Sequence, residues 1–172
     1  MREFINLAAL LLLLSVPAMP QNTPKAEVFG GYSSFSNSTL TLHGWNGSIN
    51  GNINHMLGIK ADFSGHYGTW KGATVNLHTI TFGLQLSYRK NRSVVAFVHA
   101  LFGGARASAG FNGADYSNGS FAMNIGGGLD WVVHKNFAVR VVQLDSLVTR
   151  FGPSASEDLR FSAGIVFRLG SK

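Results

Sequence analysis

The chain of 172 residues contains no cysteine. That absence excludes a disulfide framework, a thiolate metal site and a lipid-modified cysteine anchor, so stability must come from the sheet itself. Charge is scarce too. Asp, Glu, Lys and Arg make up 13% of the residues, about half of the roughly 25% usual in a soluble domain. Beyond the N-terminal segment no stretch has helical periodicity, and no apolar run reaches the ~20 residues that a membrane-spanning helix needs. The net charge of +6 comes from Lys and Arg scattered one or two per connection rather than striped along one element, which argues against nucleic acid as a partner. What is abundant is glycine, 21 residues, and alternation with a period of two.

Residues 1–20 read as a signal peptide. Met1-Arg2 gives a positive start, Phe4 to Leu14 an apolar run, and Val16-Pro17-Ala18 a small-residue cleavage site, with cleavage after Ala18 or, second, after Pro20. Residues 21–172 then form one exported domain, since roughly 150 residues leave room for only one.

The alternation is plainest at Trp45 to Tyr67. Trp45, Gly47, Ile49, Gly51 and Ile53 share one face and Asn46, Ser48, Asn50, Asn52 and Asn54 the other; after His55 the phase restarts with Leu57, Ile59, Ala61 and Phe63 against Lys60, Asp62, Ser64 and His66. Such a period fits strands and not a helix. Eight segments share it: about 26–34, 44–54, 56–67, 76–88, 93–105, 119–133, 136–148 and 158–169. The turns at Asn54-His55, Arg89 to Arg92 and His134 to Asn136 are short, whereas Ser34 to His43, Gly68 to Val75, Ala107 to Gly119 and Thr149 to Glu157 are expected as longer loops. Short turns at one rim and long loops at the other are the signature of an up-and-down meander, and an even strand count lets the ends meet. Two segments leave their phase open: Phe97 and Leu101 sit beside His99 in the fifth, and in the seventh Arg140 is out of phase with Gln143 and Asp145, reconciled by a bulge near Val142 or by a snorkelling Arg140.

Two observations choose the face that meets water. The polar faces are mostly Asn, Ser, Gly and Thr with single charges of both signs, which suits a narrow lumen where charges pair. Glu27, Lys60, Asp62, Gln85, His99, Asp130, Arg160 and Arg168 are the expected lumen network. The aromatic residues form two girdles: Tyr32, Trp45, Tyr67, Phe102, Phe121 and Phe161 toward the long loops, and Tyr88, Trp131, Phe137 and Phe167 toward the short turns. At ~3.3 Å per residue and ~45° of tilt, Phe121 and Trp131 lie about 23 Å apart along the barrel axis, close to the ~25 Å apolar band of an outer-membrane barrel. The expected fold is therefore all-β: a closed eight-stranded antiparallel up-and-down transmembrane β-barrel.

The stretches E-V-F-G-G-Y at Glu27 to Tyr32, N-I-G-G-G-L-D at Asn124 to Asp130 and the ending R-F-S-A-G-I-V-F-R-L resemble the small eight-stranded outer-membrane β-barrel family, which includes outer membrane protein X and the membrane domain of outer membrane protein A. The likeness spans everything after the signal peptide. It implies residence in the bacterial outer membrane, contact with outer-membrane lipid, delivery by the barrel-assembly machinery, and an extracellular ligand met by the long loops. Ser162, Gly164, Phe167 and Leu169 match that family's assembly signal.

Little points to chemistry. His43, His55 and His134 lie in connections, His66 and His78 near strand ends and His99 in mid-strand, without metal-site spacing. The apolar faces offer no serine, aspartate or glutamate for a lipid-modifying enzyme. The expectation is a non-catalytic barrel without cofactor, acting structurally or through its loops. A narrow channel is the alternative, followed by a soluble ligand-binding barrel or a lipid-modifying enzyme.

Overall fold

Side chains of alternating polarity on an extended backbone make two-sided strands, and eight of them close on themselves. The structure, a computed structural model, describes residues 23–36, 40–70, 72–91, 93–111, 114–151 and 154–171. The strands are β1 (Ala26–Ser36), β2 (Thr41–Asn52), β3 (Leu57–Trp70), β4 (Ala73–Tyr88), β5 (Val94–Phe111), β6 (Ala114–His134), β7 (Phe137–Phe151) and β8 (Ser154–Leu169). Each pairs antiparallel with the next, and β1 pairs with β8 from Ala26↔Leu169 to Ser36↔Leu159, which closes the barrel. The expected signal peptide lies outside the described residues.

The phase follows the sequence in β2 and β3: Trp45, Ile49 and Ile59 are exposed while Asn46, Asn50, Lys60 and Asp62 are buried. In β5, Val94, Val98 and Phe102 face outward, which puts Val95, Phe97, His99 and Leu101 inside. In β7 the bulge reconciles the two phases. Leu129 pairs with Val142 and Asp130 with Arg140, so Val141 is an extra residue, and on the other side Arg140 pairs with Gly164 and Gln143 with Ser162. Arg140, Gln143 and Asp145 therefore all point inward, and no snorkelling is needed.

Two expectations need correcting. The turn between β2 and β3 is not confined to Asn54-His55: residues 53–56 leave the ladder, with Asn54 Oδ1 accepting from the Met56 and Leu57 amides at 2.8 and 2.7 Å. More consequentially, most of the four expected loops are strand. The Ser, Gly, Asn and Ala residues that suggested loops carry backbone amides that pair as well as any others, as in Ala107↔Asn118 and Ala109↔Tyr116. With 18 residues, β5 rises about 40 Å at ~3.3 Å per residue and ~45° tilt, well beyond a ~25 Å apolar band. The sheet thus protrudes past the aromatic residues at the rim opposite the termini, here called the tip rim.

The protruding part reverses the polarity of the rest. Inside it Phe35, Leu42, Leu77, Ala105, Ala122 and Leu147 form a buried apolar cluster, whereas outward residues Thr69, Thr74, His78, Arg106 and Ser117 are polar and exposed. Closer to the termini the outside is apolar and the inside mostly polar, apart from a small buried apolar cluster of Phe29, Ala138 and Val166. One continuous sheet thus carries two patterns, apolar outside in its lower storey and polar outside in its upper one.

Candidate functional site

Side chains meet across the lumen at several levels. At the turn rim, where the termini lie, Glu27 accepts from Arg89 Nη2 at 2.6 Å and from the Asn50 and Asn52 amides at 3.2 and 3.1 Å, and Arg168 Nε stands 3.8 Å away. Arg89 also donates to the His55 carbonyl at 3.0 Å. Arg89 belongs to a turn, and a turn arginine reads as solvated; here the chain folds it back to cap the lumen.

Above this, Arg140 donates from Nε and Nη2 to both oxygens of Asp130, at 2.7 and 3.0 Å, and from Nη1 to Gln143 at 2.7 Å. Its guanidinium lies 4.3 Å from the ring centroids of both Phe29 and Phe97, so an inward aromatic that breaks the polar pattern supplies a cation–π surface. Gly128 makes room for it: a Cβ there would stand 2.7 Å from the Phe97 ring. A Cβ on Gly126 would collide with the Asp145 carboxylate. The Gly126-Gly127-Gly128 run thus supplies space for side chains from β5 and β7, not a phosphate loop.

The centre is a closed circuit of charge. Arg160 Nη2 lies 2.6 Å from Asp145 and 2.9 Å from Asp62; Asp145 Oδ1 is 3.0 Å from His99 Nε2; His99 Nδ1 is 3.3 Å from Lys60 Nζ; and Lys60 returns to Asp62 at 4.0 Å. Lys60, Asp62 and Arg160 have no solvent exposure. A lysine ammonium has only donors, so His99 Nδ1 is the acceptor of that contact and Nε2 carries the ring proton toward Asp145. Higher still, His66 Nε2 meets Ser33 Oγ at 2.9 Å, Ser33 meets Ser162 at 2.9 Å, and the apolar cluster of the protruding storey closes the top.

All eight residues expected in the lumen lie on its inner face, but the lumen contacts also involve Asp145, Arg140, Gln143 and Arg89, which that set omits. Gln85 stands apart, donating to Ser87 at 3.2 Å. Of the residues matched to an assembly signal, Ser162 is buried and Phe167 and Leu169 are exposed, with Gly164 against Gly31 at the β1–β8 seam.

The aromatic residues face outward in two tiers. Tyr32, Trp45, Tyr67, Phe102, Phe121 and Phe161 are exposed toward the tips, and Tyr88, Trp131, Phe137 and Phe167 toward the turns. In the upper tier Tyr32 hydrogen-bonds His43 at 2.5 Å, and Tyr67 packs edge-on against His78 with ring centroids 5.5 Å apart. Both of these outward histidines therefore contact tyrosines.

An apolar wall between two aromatic tiers, a paired polar interior and closure of β1 on β8 define an integral outer-membrane β-barrel. A model of the outer membrane protein beta-barrel domain matches residues 7–169, and the chain belongs to that family. No curated protein sequence matches it. Among solved structures it is similar to Neisserial surface protein A, with TM-score 0.67 and 16% identity over 84% of this chain and 96% of that one. Ail, the attachment invasion locus protein of Yersinia pestis, gives TM-score 0.62 at 16% identity over 86% and 99%. The N-terminal barrel domain of Pseudomonas aeruginosa OprF gives 0.56 at 14% over 86% and 98%. At these identities the likeness is one of fold, and with the family match it places the protein in the bacterial outer membrane.

Proposed function

We propose that this protein is a sealed, non-catalytic barrel that acts through its outer surface, chiefly the protruding storey and its tips. The carrying observation is the filled lumen: the Lys60–Asp62–Arg160–Asp145–His99 circuit occupies the middle and the Phe35, Leu42, Leu77 and Leu147 cluster the top. Eight strands enclose an interior that side chains can fill, and here they do so at both levels. This packing supports a lumen without a transport pathway. The surface left for function is the water-facing wall, which is sheet where long loops were expected.

In this reading the tip rim faces the exterior and the turn rim the periplasm. The two aromatic tiers mark the lipid boundaries, and Ser162, Gly164, Phe167 and Leu169 serve as the assembly signal read by the barrel-assembly machinery. A surface role is supported by analogy of fold with Ail, which is known in complex with the heparin analogue sucrose octasulfate. The test is the labelling of single cysteines at Asn118 and Lys135 in intact cells by a membrane-impermeant maleimide. Asn118→Cys is expected to label and Lys135→Cys to stay protected until the outer membrane is opened; the opposite pattern would put the protruding storey in the periplasm.

A further inference from the structure

Charge is divided unevenly between lumen and rim. The lumen cations Lys60, Arg89, Arg140, Arg160 and Arg168 each lie within 4.0 Å of a carboxylate. Lys25, Lys90 and Lys135 are instead exposed around the turn rim and, among the described residues, have no ion-pair partner. Lys90 also borders an open cavity of about 770 Å³ lined by Tyr88, Lys90, Asn91, Val94 and Ala96.

Its shape follows from the register. Ala96, a small residue facing outward, lies between Tyr88 on β4 and Leu129 on β6, and Val94 lies beside Trp131. A small floor between larger walls makes a groove that starts in the polar turn and runs down the lipid-facing sheet. Its end at the turn offers an ammonium without an ion-pair partner among the described residues and a phenol; its other end is apolar. Asn91 Oδ1 accepts from the Ser93 amide at 2.8 Å and braces the turn that presents Lys90.

We propose that this groove is a binding site for one anionic phospholipid, its headgroup phosphate held by Lys90 with the Tyr88 hydroxyl and an acyl chain laid over Ala96 toward Leu129. The chemistry on both sides matches. A phosphate supplies the negative charge that the lumen carboxylates deny to Lys90, and the hydrocarbon covers a wall that must face lipid anyway. The site requires the barrel to be in a membrane and is independent of which rim faces outward.

Trp131 reports on the groove directly. In a Trp45→Phe, Trp70→Phe background it is the single tryptophan remaining of three. The barrel is reconstituted into phosphatidylcholine vesicles holding a minority of phosphatidylglycerol, with bromine on the acyl chains of one lipid or the other. Brominated phosphatidylglycerol is expected to quench Trp131 about fivefold more per mole than brominated phosphatidylcholine, the enrichment a lysine near a bilayer surface supports. Lys90→Gln should abolish that preference, and Lys135→Gln should leave it intact. Equal quenching by both lipids overturns the proposal, as does a preference that survives Lys90→Gln. Equal loss in both lysine variants would show a diffuse attraction of the rim and no site. Folding is checked by the mobility of unboiled protein, and if Lys90→Gln fails that check the preference of the parent barrel, with Lys135→Gln beside it, decides the matter.

Discussion

Nη2 of Arg160 lies 2.6 Å from Oδ2 of Asp145, and both side chains are wholly sealed from solvent. The same nitrogen is 2.9 Å from Asp62, so one guanidinium bridges two carboxylates from β3 and β7 across the lumen. Removing one partner of a buried pair leaves the other charge uncompensated, at a cost of about 3–5 kcal/mol. Arg160→Met is therefore expected to destabilise the folded barrel by about 3 kcal/mol or more in a urea titration in phosphatidylcholine bilayers. Lys60→Met should cost less, because its ammonium reaches Asp62 only at 4.0 Å. A loss below about 1 kcal/mol for Arg160→Met would mean that the circuit does not hold the barrel together.

Gly30 and Gly31 are neighbours with opposite surroundings. A Cβ on Gly30 would meet nothing within 4 Å, whereas one on Gly31 would collide with the Ala163 carbonyl at the seam that closes the barrel. Gly31→Ala should destabilise by about 1–3 kcal/mol through overpacking against backbone that cannot move aside. Gly30→Ala should stay within about 0.5 kcal/mol of the parent. The pair is read by the same titration; equal effects would contradict the seam's register.

Deleting Val141 tests the bulge. With one residue fewer, Arg140 and Gln143 stand two positions apart and share the inner face of a regular strand with Asp145, so the register that pairs Asp130 with Arg140 and Leu129 with Val142 needs no bulge. The deletion variant is therefore expected to acquire the altered mobility of a folded, unboiled barrel, whereas deleting Leu144, which puts Gln143 next to Asp145 and turns one of them outward, is expected to prevent it. Val141→Ile, which keeps the count, should fold normally. Failure of the Val141 deletion variant to fold, or normal folding of the Leu144 deletion, would contradict the bulge as what reconciles the two phases of β7.

The contrast between strands explains what was legible in the sequence. Period two in β2, β3, β4, β6 and β8 survives because each side chain has one face to choose, so strand number, closure and the lumen set around Lys60, Asp62 and Arg160 can be read directly. In β7 a single inserted residue shifts the phase, and the sequence names the conflict between Arg140 and Gln143 without saying which remedy applies. Phe97 looks misplaced in a polar face because its partner, the Arg140 guanidinium, is 43 positions away. The protruding storey was illegible for a different reason. Above the upper aromatic tier the solvent changes from lipid to water, so Phe35, Leu42, Leu77 and Leu147 become the inward residues, and a reading that equates apolar with outward takes the segment for a loop. Nothing local to Ala107 or Asn118 announces that their backbones pair.

The sealed lumen is the central claim, and single-channel recording in planar bilayers tests it most directly. Purified barrel whose unboiled form shows the folded mobility is inserted and held at moderate voltage. The wild-type protein is expected to give no steady conductance above the bare bilayer, because both the charge circuit around Arg160 and the apolar cluster around Leu147 lie across the path. Large, steady conductance from the wild-type barrel would contradict the account and make the lumen a transport pathway.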